Sequence, residues 1–495
     1  MGRGYTEAYS ELSEKTGKRG VVKNSLNNKN GLKREMGLFS ATILVIANMV
    51  GTGIFTTSGF IMQELGDPAS LLLCWIVGGV FALSGALCYG ELGAMFPRAG
   101  GEYVFLRESF GKGVAFLSGW ISLVVGFSAP IAAAAIAFAT YLLRLLPNIP
   151  HVEYACTLFD VKVFVLSHIT LTAIAVVVII SLAHYHSLSL GTKIQNILTL
   201  FKVGFIICLV AAGFWYGQGE TGLVFTAPAV ETVFSGRFAV ALIFVSFAFS
   251  GWNAAAYLGG EIRDPERNIR VSLLAGTLFV IFVYLVLNVL YLYALPAEKM
   301  SGVLEVGAES ATALFGRNIG QFFAAAIAVG LLSVLSAMIM TGPRVYYAMA
   351  RDGVFFELFG RVNSLHRTPA HSILLQGGLA ALLILTASFD ALLLYIGFTL
   401  SLSATLTVIG MIRLRFSSPR LNRPYRTFGY PLTPLLFIAG NLWIICFSIA
   451  SRPITALLGL GTIGAGGVVY SCFRAKGGLA RDGEEDCPRV ASMVD

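Results

Sequence analysis

Long apolar stretches separated by short polar connections recur along most of this sequence. Twelve of them reach the about 20 mostly apolar residues that a helix needs to cross a bilayer. Their approximate spans are 38–64, 70–96, 102–145, 162–184, 192–217, 234–260, 270–296, 319–350, 370–388, 391–414, 430–450 and 454–474. Because a helix satisfies its backbone hydrogen bonds within one apolar segment, the pattern predicts an all-α membrane protein with twelve transmembrane helices.

Two of these segments are interrupted near their centres by small residues. The first contains Gly51-Thr52-Gly53, and the sixth contains Ser250-Gly251. A single Gly-x-Gly is usually a notch against which a neighbouring helix packs. Backbone groups freed by a break are tolerated where they line a cavity, and paired breaks in two halves of a membrane protein indicate a substrate site. The second break therefore favours a secondary transporter over helix packing alone.

Composition and charge agree with a membrane location. Hydrophobic residues make up 56% of the chain and charged residues 13%, against about 25% charged in soluble domains. The net charge of +8 comes from Lys and Arg in residues 1–37 and in the even-numbered connections. Basic residues accumulate in cytoplasmic loops, so we expect a multi-pass protein of the cell (inner) membrane with both termini in the cytoplasm. We expect no nucleic-acid partner.

The two ends of the chain differ in composition from the apolar segments between them. Residues 1–37 are basic and polar, and we expect a disordered cytoplasmic tail there with no cleavable signal peptide. We expect a second cytoplasmic tail at 475–495. The 6 His and 7 Cys residues show no spacing typical of a metal site, a disulfide framework or a catalytic cluster. We therefore expect neither an enzyme nor a bound metal or cofactor. A channel is disfavoured because polar residues concentrate at the two breaks.

The breaks expose backbone groups suited to a zwitterion. An opened helix leaves amides free at the start of its second half and carbonyls free at the end of its first half. The amide end suits a carboxylate and the carbonyl end suits an ammonium. The amides predicted to face a carboxylate are those of Thr52, Gly53 and Ile54. The carbonyls predicted to face an ammonium are those of Met49, Phe247 and Ser250. Together they would hold the head group that α-amino acids share.

The side chains around both breaks are all neutral. They are Asn48, Met49, Thr52, Phe247, Ser250, Trp252 and Asn253. A cationic amino acid or a polyamine needs a carboxylate for its distal charge, because an unpaired buried charge is strongly unfavourable. We expect no acidic residue to reach the site from the third or tenth segment. The sequence therefore favours neutral amino acids, with cationic amino acids or polyamines as the alternative.

Ordered motifs along the chain resemble those of the amino acid–polyamine–organocation (APC) superfamily. They are Gly51-Thr52-Gly53-Ile54-Phe55, Gly85-Ala86-Leu87-Cys88-Tyr89-Gly90-Glu91-Leu92-Gly93, Pro97-Arg98-Ala99-Gly100-Gly101-Glu102-Tyr103, Phe247-Ala248-Phe249-Ser250-Gly251-Trp252-Asn253, Gly260-Glu261-Ile262-Arg263-Asp264-Pro265 and Gly342-Pro343-Arg344-Val345-Tyr346-Tyr347. The chain is similar to bacterial relatives of the L-type amino acid transporters, which include serine/threonine exchangers. The resemblance implies a LeuT-type fold with inverted five-helix repeats at 38–217 and 234–414 and two additional helices at 430–474.

The resemblance also implies how substrate is held and moved. In this superfamily the head group lies at the two breaks, and selectivity comes from residues just past the second break and from other segments. Here the implied selectivity residues are Trp252, Asn253 and Ser333, with Phe247 closing over the substrate. The implied mechanism is alternating access, in which segments one, two, six and seven rock against the remainder. Exchange and proton-coupled uptake both stay open.

Lys202 lies well inside the fifth apolar segment, where an ionisable side chain is expensive and indicates function. A lysine reaching the membrane interface is the alternative, which the depth of Lys202 disfavours. In sodium-independent relatives, a lysine at the matching position occupies the site that sodium fills in sodium-coupled ones. The resemblance therefore implies that Lys202 bridges the fifth segment to the break in the first, as structural support or as a proton carrier.

The remaining acidic residues and one cysteine are predicted to have structural roles. Glu91 and Glu102 are predicted to form gate or packing ion pairs with nearby arginines and not to contact substrate. Glu261 is assigned to an inner gate. Cys156 falls in an expected external loop, where animal L-type light chains bond to a heavy subunit. We expect this chain to work without a heavy subunit and Cys156 to be a free thiol.

Overall fold

Helices account for almost all of the computed structural model, which describes residues 32–145, 153–158, 161–186, 188–219, 230–303, 305–363, 368–386, 389–451 and 453–475. Helices α1 to α20 are, in chain order, Leu38–Met49, Thr52–Leu65, Pro68–Met95, Glu102–Phe110, Lys112–Ile121, Ala129–Arg144, His168–His186, Leu188–Tyr216, Val230–Val233, Gly236–Phe249, Ala254–Tyr257, Pro265–Ala294, Ala297–Met300, Val306–Phe315, Arg317–Thr341, Pro343–Arg351, Ala370–Thr386, Phe389–Ser417, Leu432–Ser451 and Pro453–Ala475. A π-helical turn, Ser122–Ser128, joins α5 to α6. The predicted tails fall largely outside the described residues.

Within the described residues, ten helical stretches are long and apolar enough to cross a membrane. They are Leu38–Leu65, Pro68–Met95, Lys112–Leu143, His168–His186, Leu190–Tyr216, Pro265–Ala294, Arg317–Arg351, Tyr395–Ser417, Leu432–Ala450 and Ala456–Phe473. Two shorter apolar helices, α10 and α17, lie in the sixth and ninth predicted segments. The chain is therefore an integral, multi-pass membrane protein.

A two-stranded antiparallel hairpin precedes α7. Strand β1 (Glu153–Leu158) pairs with strand β2 (Val161–Ser167). The fourth predicted segment, from residue 162, is expected to be helical from its start, but its first residues belong to β2 and the helix begins at His168. Valine occupies alternate positions of β2, and β-branched residues with period two are typical of a strand.

Small residues allow the helices around the first break to pack closely. Helix α12 packs along α1 and α3, and α10 packs against α2. A Cβ atom added at Gly276 on α12 would lie 2.7 Å from Cγ1 of Val45, and one at Gly78 on α3 would lie 2.2 Å from Cγ1 of Val245. Small residues permit such close approach in a membrane. The two interrupted segments are thereby placed side by side.

Candidate functional site

The first segment opens between α1 and α2. Helix α1 ends at Met49 and α2 begins at Thr52, with Gly51 in the N-cap position. No side chain caps the start of α2. An uncapped helix N-terminus presents amides and partial positive charge, and it binds anions readily. The three amides in this first turn are those predicted to face a carboxylate, namely Thr52, Gly53 and Ile54.

The sixth segment is interrupted by a turn. Helix α10 ends at Phe249, and the four-residue α11 begins at Ala254. Between them Gly251 has a φ of +99°, a conformation that glycine adopts without the steric cost of a Cβ atom. The N–H of Ser250 donates to the carbonyl of Phe247 at 2.9 Å as α10 ends. The helix is thus interrupted where the sequence contains Ser250-Gly251.

The two breaks touch each other. A Cβ atom added at Gly53 would lie 2.6 Å from Cα of Ala248, and one at Gly251 would lie 2.7 Å from Cβ of Asn48. The hydroxyl of Tyr284, on α12, lies 2.6 Å from the carbonyl of Met49 and 3.0 Å from the carbonyl of Ala248. Two glycines and one tyrosine hydroxyl therefore hold the opened parts of both segments together.

A cavity lies beside the breaks. Asn48 lines it from the first break, and Phe127 and Ser401 line it from the π-helical turn and α18. Four of the predicted substrate residues are in its wall: Phe247, Ser250, Trp252 and Asn253. The other predicted residues lie buried at the first break, behind the wall: Met49, Thr52, Gly53 and Ile54. The structure brings the two sets together, since Gly53 packs against Ala248 of the second break.

Two carbonyls predicted to receive an ammonium already accept internal hydrogen bonds. The carbonyl of Met49 accepts from Tyr284, and the carbonyl of Phe247 accepts from the N–H of Ser250. A carbonyl oxygen has two lone pairs, so each retains capacity for one further donor. Sequence alone could not identify Tyr284, because its partner carbonyl lies 235 residues away.

Aromatic side chains pack around Trp252, which is part of the cavity wall. Trp252 packs edge-on against Tyr89 and Phe437, with ring centroids 4.7 and 5.9 Å apart. Gly85 on α3 makes room for it, since a Cβ atom there would lie 2.7 Å from Cη2 of Trp252. Ser333, implied as a selectivity residue, is fully buried on α15 and does not line this cavity.

Lys202 lies on α8 with only 1% of its surface exposed. Its Nζ donates to the carbonyl of Val50 and, at 3.3 Å, to the carbonyl of Ala47. Both carbonyls belong to the last turn of α1 and the residue after it, where the helix end carries partial negative charge. Gly330 on α15 faces the aliphatic part of the lysine. A Cβ atom added at Gly330 would lie 3.4 Å from Cγ of Lys202. The ammonium thus contacts the first break from α8, whereas the hydroxyl of Tyr284 contacts it from α12.

Glu102, the first residue of α4, does not lie in the ion pair that was predicted for it. Its side chain is buried and lines the cavity. Oε1 accepts hydrogen bonds from the hydroxyl of Tyr89 (2.7 Å) and Nδ2 of Asn253 (2.8 Å), and Oε2 accepts from the hydroxyl of Ser403 (2.8 Å). The expectation that no acid reaches the site from the third segment is therefore wrong.

The arginines near Glu102 in the sequence are engaged elsewhere. Arg107 pairs with Asp352 at 2.5 Å and with Glu108 at 2.7 Å, and Arg98 also reaches Glu108. Among the described residues Glu102 has no ion pair. The prediction of an arginine partner is wrong because the first turn of α4 directs Glu102 inwards while Arg107 lies on a more exposed part of the same helix.

The other two acids form buried ion pairs. Glu91 on α3 accepts from Arg415 on α18 through both oxygens, at 3.0 and 2.5 Å. Glu261 accepts from Arg344 on α16 at 2.9 and 3.0 Å. The predicted ion pair of Glu91 is confirmed, and the partner of Glu261 is one that the sequence did not indicate. Both pairs join parts of the chain that are distant in sequence, while their gate role stays a prediction.

Two remaining expectations concern metals and cysteine. Among the described residues, no group of three His, Cys, Asp or Glu side chains is arranged to hold a metal ion. Cys156 belongs to strand β1, and its side chain lies outside the described part of the structure. The free-thiol expectation therefore stays a prediction.

Helices long enough to span a membrane, two breaks in contact and a cavity beside them are typical of a membrane transport protein. The chain belongs to the amino acid permease family, whose model matches residues 36–458. This agrees with the resemblance to the APC superfamily that the motifs indicate.

Curated relatives match over most of their length. The chain is 29% identical to the serine/threonine exchanger SteT of Bacillus subtilis (strain 168), over 84% of this chain and 91% of that protein. It is 28% identical to the large neutral amino acids transporter small subunit 2 of Rattus norvegicus, over 89% of this chain and 80% of the relative. It is 26% identical to the Asc-type amino acid transporter 1 of Mus musculus, over 87% of this chain and 79% of that protein.

Proposed function

We propose that this chain carries neutral L-amino acids across the cell membrane by alternating access, as an exchanger. One observation carries the proposal: the break with uncapped amides at the start of α2 packs directly against the break at the end of α10, whose residues Phe247 and Ser250 line a cavity. This arrangement offers opposite partial charges to a carboxylate and an ammonium. The names of the relatives, which are amino acid transporters and an exchanger, support the same substrate class.

The proposed architecture is a twelve-helix, LeuT-type fold. Its inverted repeats would be residues 38–217 and 234–414, followed by two helices within 430–474. Breaks at corresponding points of the two repeats support it. The rocking bundle would contain the first, second, sixth and seventh segments, which correspond to α1 to α3 and α10 to α12, and Phe247 would close over the substrate. Close packing of α12 on α1 and α3 supports a bundle that moves as one body.

We place both termini in the cytoplasm because the basic connections lie on the even-numbered side. The chain would work without a heavy subunit, although the rat relative's name marks that protein as a small subunit. Gel migration with and without reductant tests this, since a disulfide through Cys156 to a second chain would produce a larger species that reductant removes.

Cationic amino acids or polyamines are the second candidate, and Glu102 is the observation that favours them. A carboxylate in the cavity wall could pair with a distal ammonium. However, donors from Tyr89, Asn253 and Ser403 already occupy both of its oxygens. Oε1 accepts two of these bonds and Oε2 one, so a single acceptor position is left for the three N–H groups of a distal ammonium, which is why neutral substrates stay preferred.

The test is uptake of single labelled amino acids into proteoliposomes, with and without amino acid preloaded inside, at two external pH values. Uptake of neutral amino acids only after preloading is the expected result, and it gives Lys202 a structural role. Uptake without preloading that rises with external acidity would instead indicate a proton symporter with Lys202 as the proton carrier. Uptake confined to arginine, lysine or polyamines would overturn the neutral substrate class.

A further inference from the structure

The contact between Glu102 and Asn253 has a consequence for the amide of Asn253. An asparagine amide can present either its NH2 group or its carbonyl oxygen in a given direction, since the two ends are nearly identical in shape. Nδ2 of Asn253 donates to Oε1 of Glu102 at 2.8 Å, and the hydroxyl of Tyr89 donates to the same oxygen. Oε1 is thus an acceptor, and the NH2 group of Asn253 lies on that side. Its Oδ1 atom must point the other way.

Asn253 does not use Oδ1 for the role that its position suggests. It is the N-cap residue of α11, where an asparagine oxygen commonly accepts a hydrogen bond from the first turn. Here no such side-chain cap forms. Among the described residues the side chain of Asn253 makes hydrogen bonds only through Nδ2, to Glu102 and, at 3.4 Å, to the hydroxyl of Tyr257. Oδ1 is left as an acceptor on a residue of the cavity wall.

Two further donors keep Glu102 in place. The hydroxyl of Tyr89 shares Oε1 with Asn253, and the hydroxyl of Ser403 holds Oε2. Both come from helices that do not carry Asn253, namely α3 and α18. The carboxyl group is thus fixed independently of the residue it orients.

We infer that Glu102 is a positioning residue that turns the Asn253 amide so that Oδ1 faces the cavity and selects amino acids whose side chain donates a hydrogen bond. The inference rests on the proposed function, because it assumes that an amino acid occupies this cavity. An acceptor that loses water and finds no donor is unfavourable. Threonine offers a hydroxyl at the position where valine, of nearly the same shape, offers a methyl group. The site therefore prefers threonine to valine and serine to alanine.

The experiment compares how well unlabelled threonine and valine compete with a labelled amino acid for uptake into proteoliposomes. Wild-type protein should be inhibited by threonine at a concentration about tenfold below that of valine, the ratio that one well-made hydrogen bond provides. In Glu102→Gln the ratio should fall to about twofold or less, because an amide can donate as well as accept and releases Asn253 to turn.

Matched controls separate orientation from general stability. Tyr89→Phe and Ser403→Ala each remove one donor from Glu102 but leave the carboxylate that orients Asn253. Whatever they do to the uptake rate, both should keep the wild-type ratio. A ratio that is unchanged in Glu102→Gln, or that falls equally in all three variants, would overturn the inference.

If Glu102→Gln fails to fold, competition by threonine and valine in the wild-type protein still tests the inference. Equal competition by threonine and valine, in a protein that takes up both, would refute the inference and leave the proposed function intact. Failure to take up or bind any amino acid would instead refute the proposed function. Thermal stabilisation of the purified protein by threonine and by valine gives an independent measure of the preference between them.

Discussion

The ammonium of Lys202 donates to the carbonyl of Val50, the residue that follows α1 at the first break. The two residues are 152 positions apart in the chain. The last carbonyls of a helix have no partner within it, and hydrocarbon supplies none. Lys202 therefore provides, from α8, a donor that the opened backbone cannot find locally. Tyr284 does the same for Met49 from α12.

Replacing Lys202 tests this support. In Lys202→Met the carbonyls of Ala47 and Val50 lose their donor while the side chain keeps a similar length. We expect a loss of about 1–3 kcal/mol in stability, the typical effect of leaving buried polar groups unpaired, and a strong fall in uptake. Thermal unfolding of the purified protein and exchange in proteoliposomes measure the two effects. Lys193→Met, on an exposed position of the same helix, is the control and should change neither.

Tyr284→Phe removes the hydroxyl that lies against both Met49 and Ala248. We expect about 1–3 kcal/mol of destabilisation, because two buried carbonyls lose a shared donor, together with slower transport. Tyr291 on the same helix is equally buried, but its hydroxyl has no partner among the described residues. Tyr291→Phe should therefore leave stability unchanged or raise it. Equal melting temperatures for the two variants would contradict the role given to Tyr284.

The contact between the breaks depends on the absence of a side chain at Gly53. In Gly53→Ala the new Cβ atom would meet the backbone of Ala248 at 2.6 Å, and a backbone atom cannot move aside cheaply. Overpacking of this kind costs about 1–3 kcal/mol, and we expect uptake to fall more than tenfold as the breaks separate. Gly204 on α8 has open space around it. In Gly204→Ala, uptake should stay at the wild-type level, and wild-type uptake in Gly53→Ala would refute the prediction.

The buried pair of Glu261 and Arg344 should respond differently to single and double replacement. Removing one partner of a buried pair costs about 3–5 kcal/mol, because the other charge is left without compensation. We therefore expect Glu261→Gln and Arg344→Met each to lower the melting temperature more than the double variant does. Glu357→Gln breaks an exposed pair with Arg361, which is worth about 1 kcal/mol or less. Additive effects at Glu261 and Arg344 would contradict their coupling.

Several elements could be predicted from local sequence because their causes are local. A run of apolar residues sets a membrane helix whatever its neighbours are. Gly51 and Gly251 mark the two breaks because a missing Cβ atom permits unusual backbone and close approach at any place in the chain. The depth of Lys202 in its segment likewise indicated a buried partner before the partner was known.

Glu102 shows where such reasoning ends. Arg98 and Arg107 lie near it in sequence and suggested an ion pair, but Arg107 turns to Asp352, 245 residues further on by their numbers in the chain. Glu102 instead meets Tyr89, Asn253 and Ser403, which come from three other parts of the chain. Sequence order gives no distance between residues that far apart.

The sequence by itself determined that this is a multi-pass membrane protein with two interrupted helices and the motifs of an amino acid permease. Only the tertiary structure decided which further side chains complete the site: Tyr284 on the first break and Glu102 beside the second. The physical reason is that hydropathy and backbone flexibility are properties of each residue and its immediate neighbours in sequence. Hydrogen bonds between distant residues depend on how the helices pack, and that packing is set by small residues such as Gly53, Gly78 and Gly276 acting together.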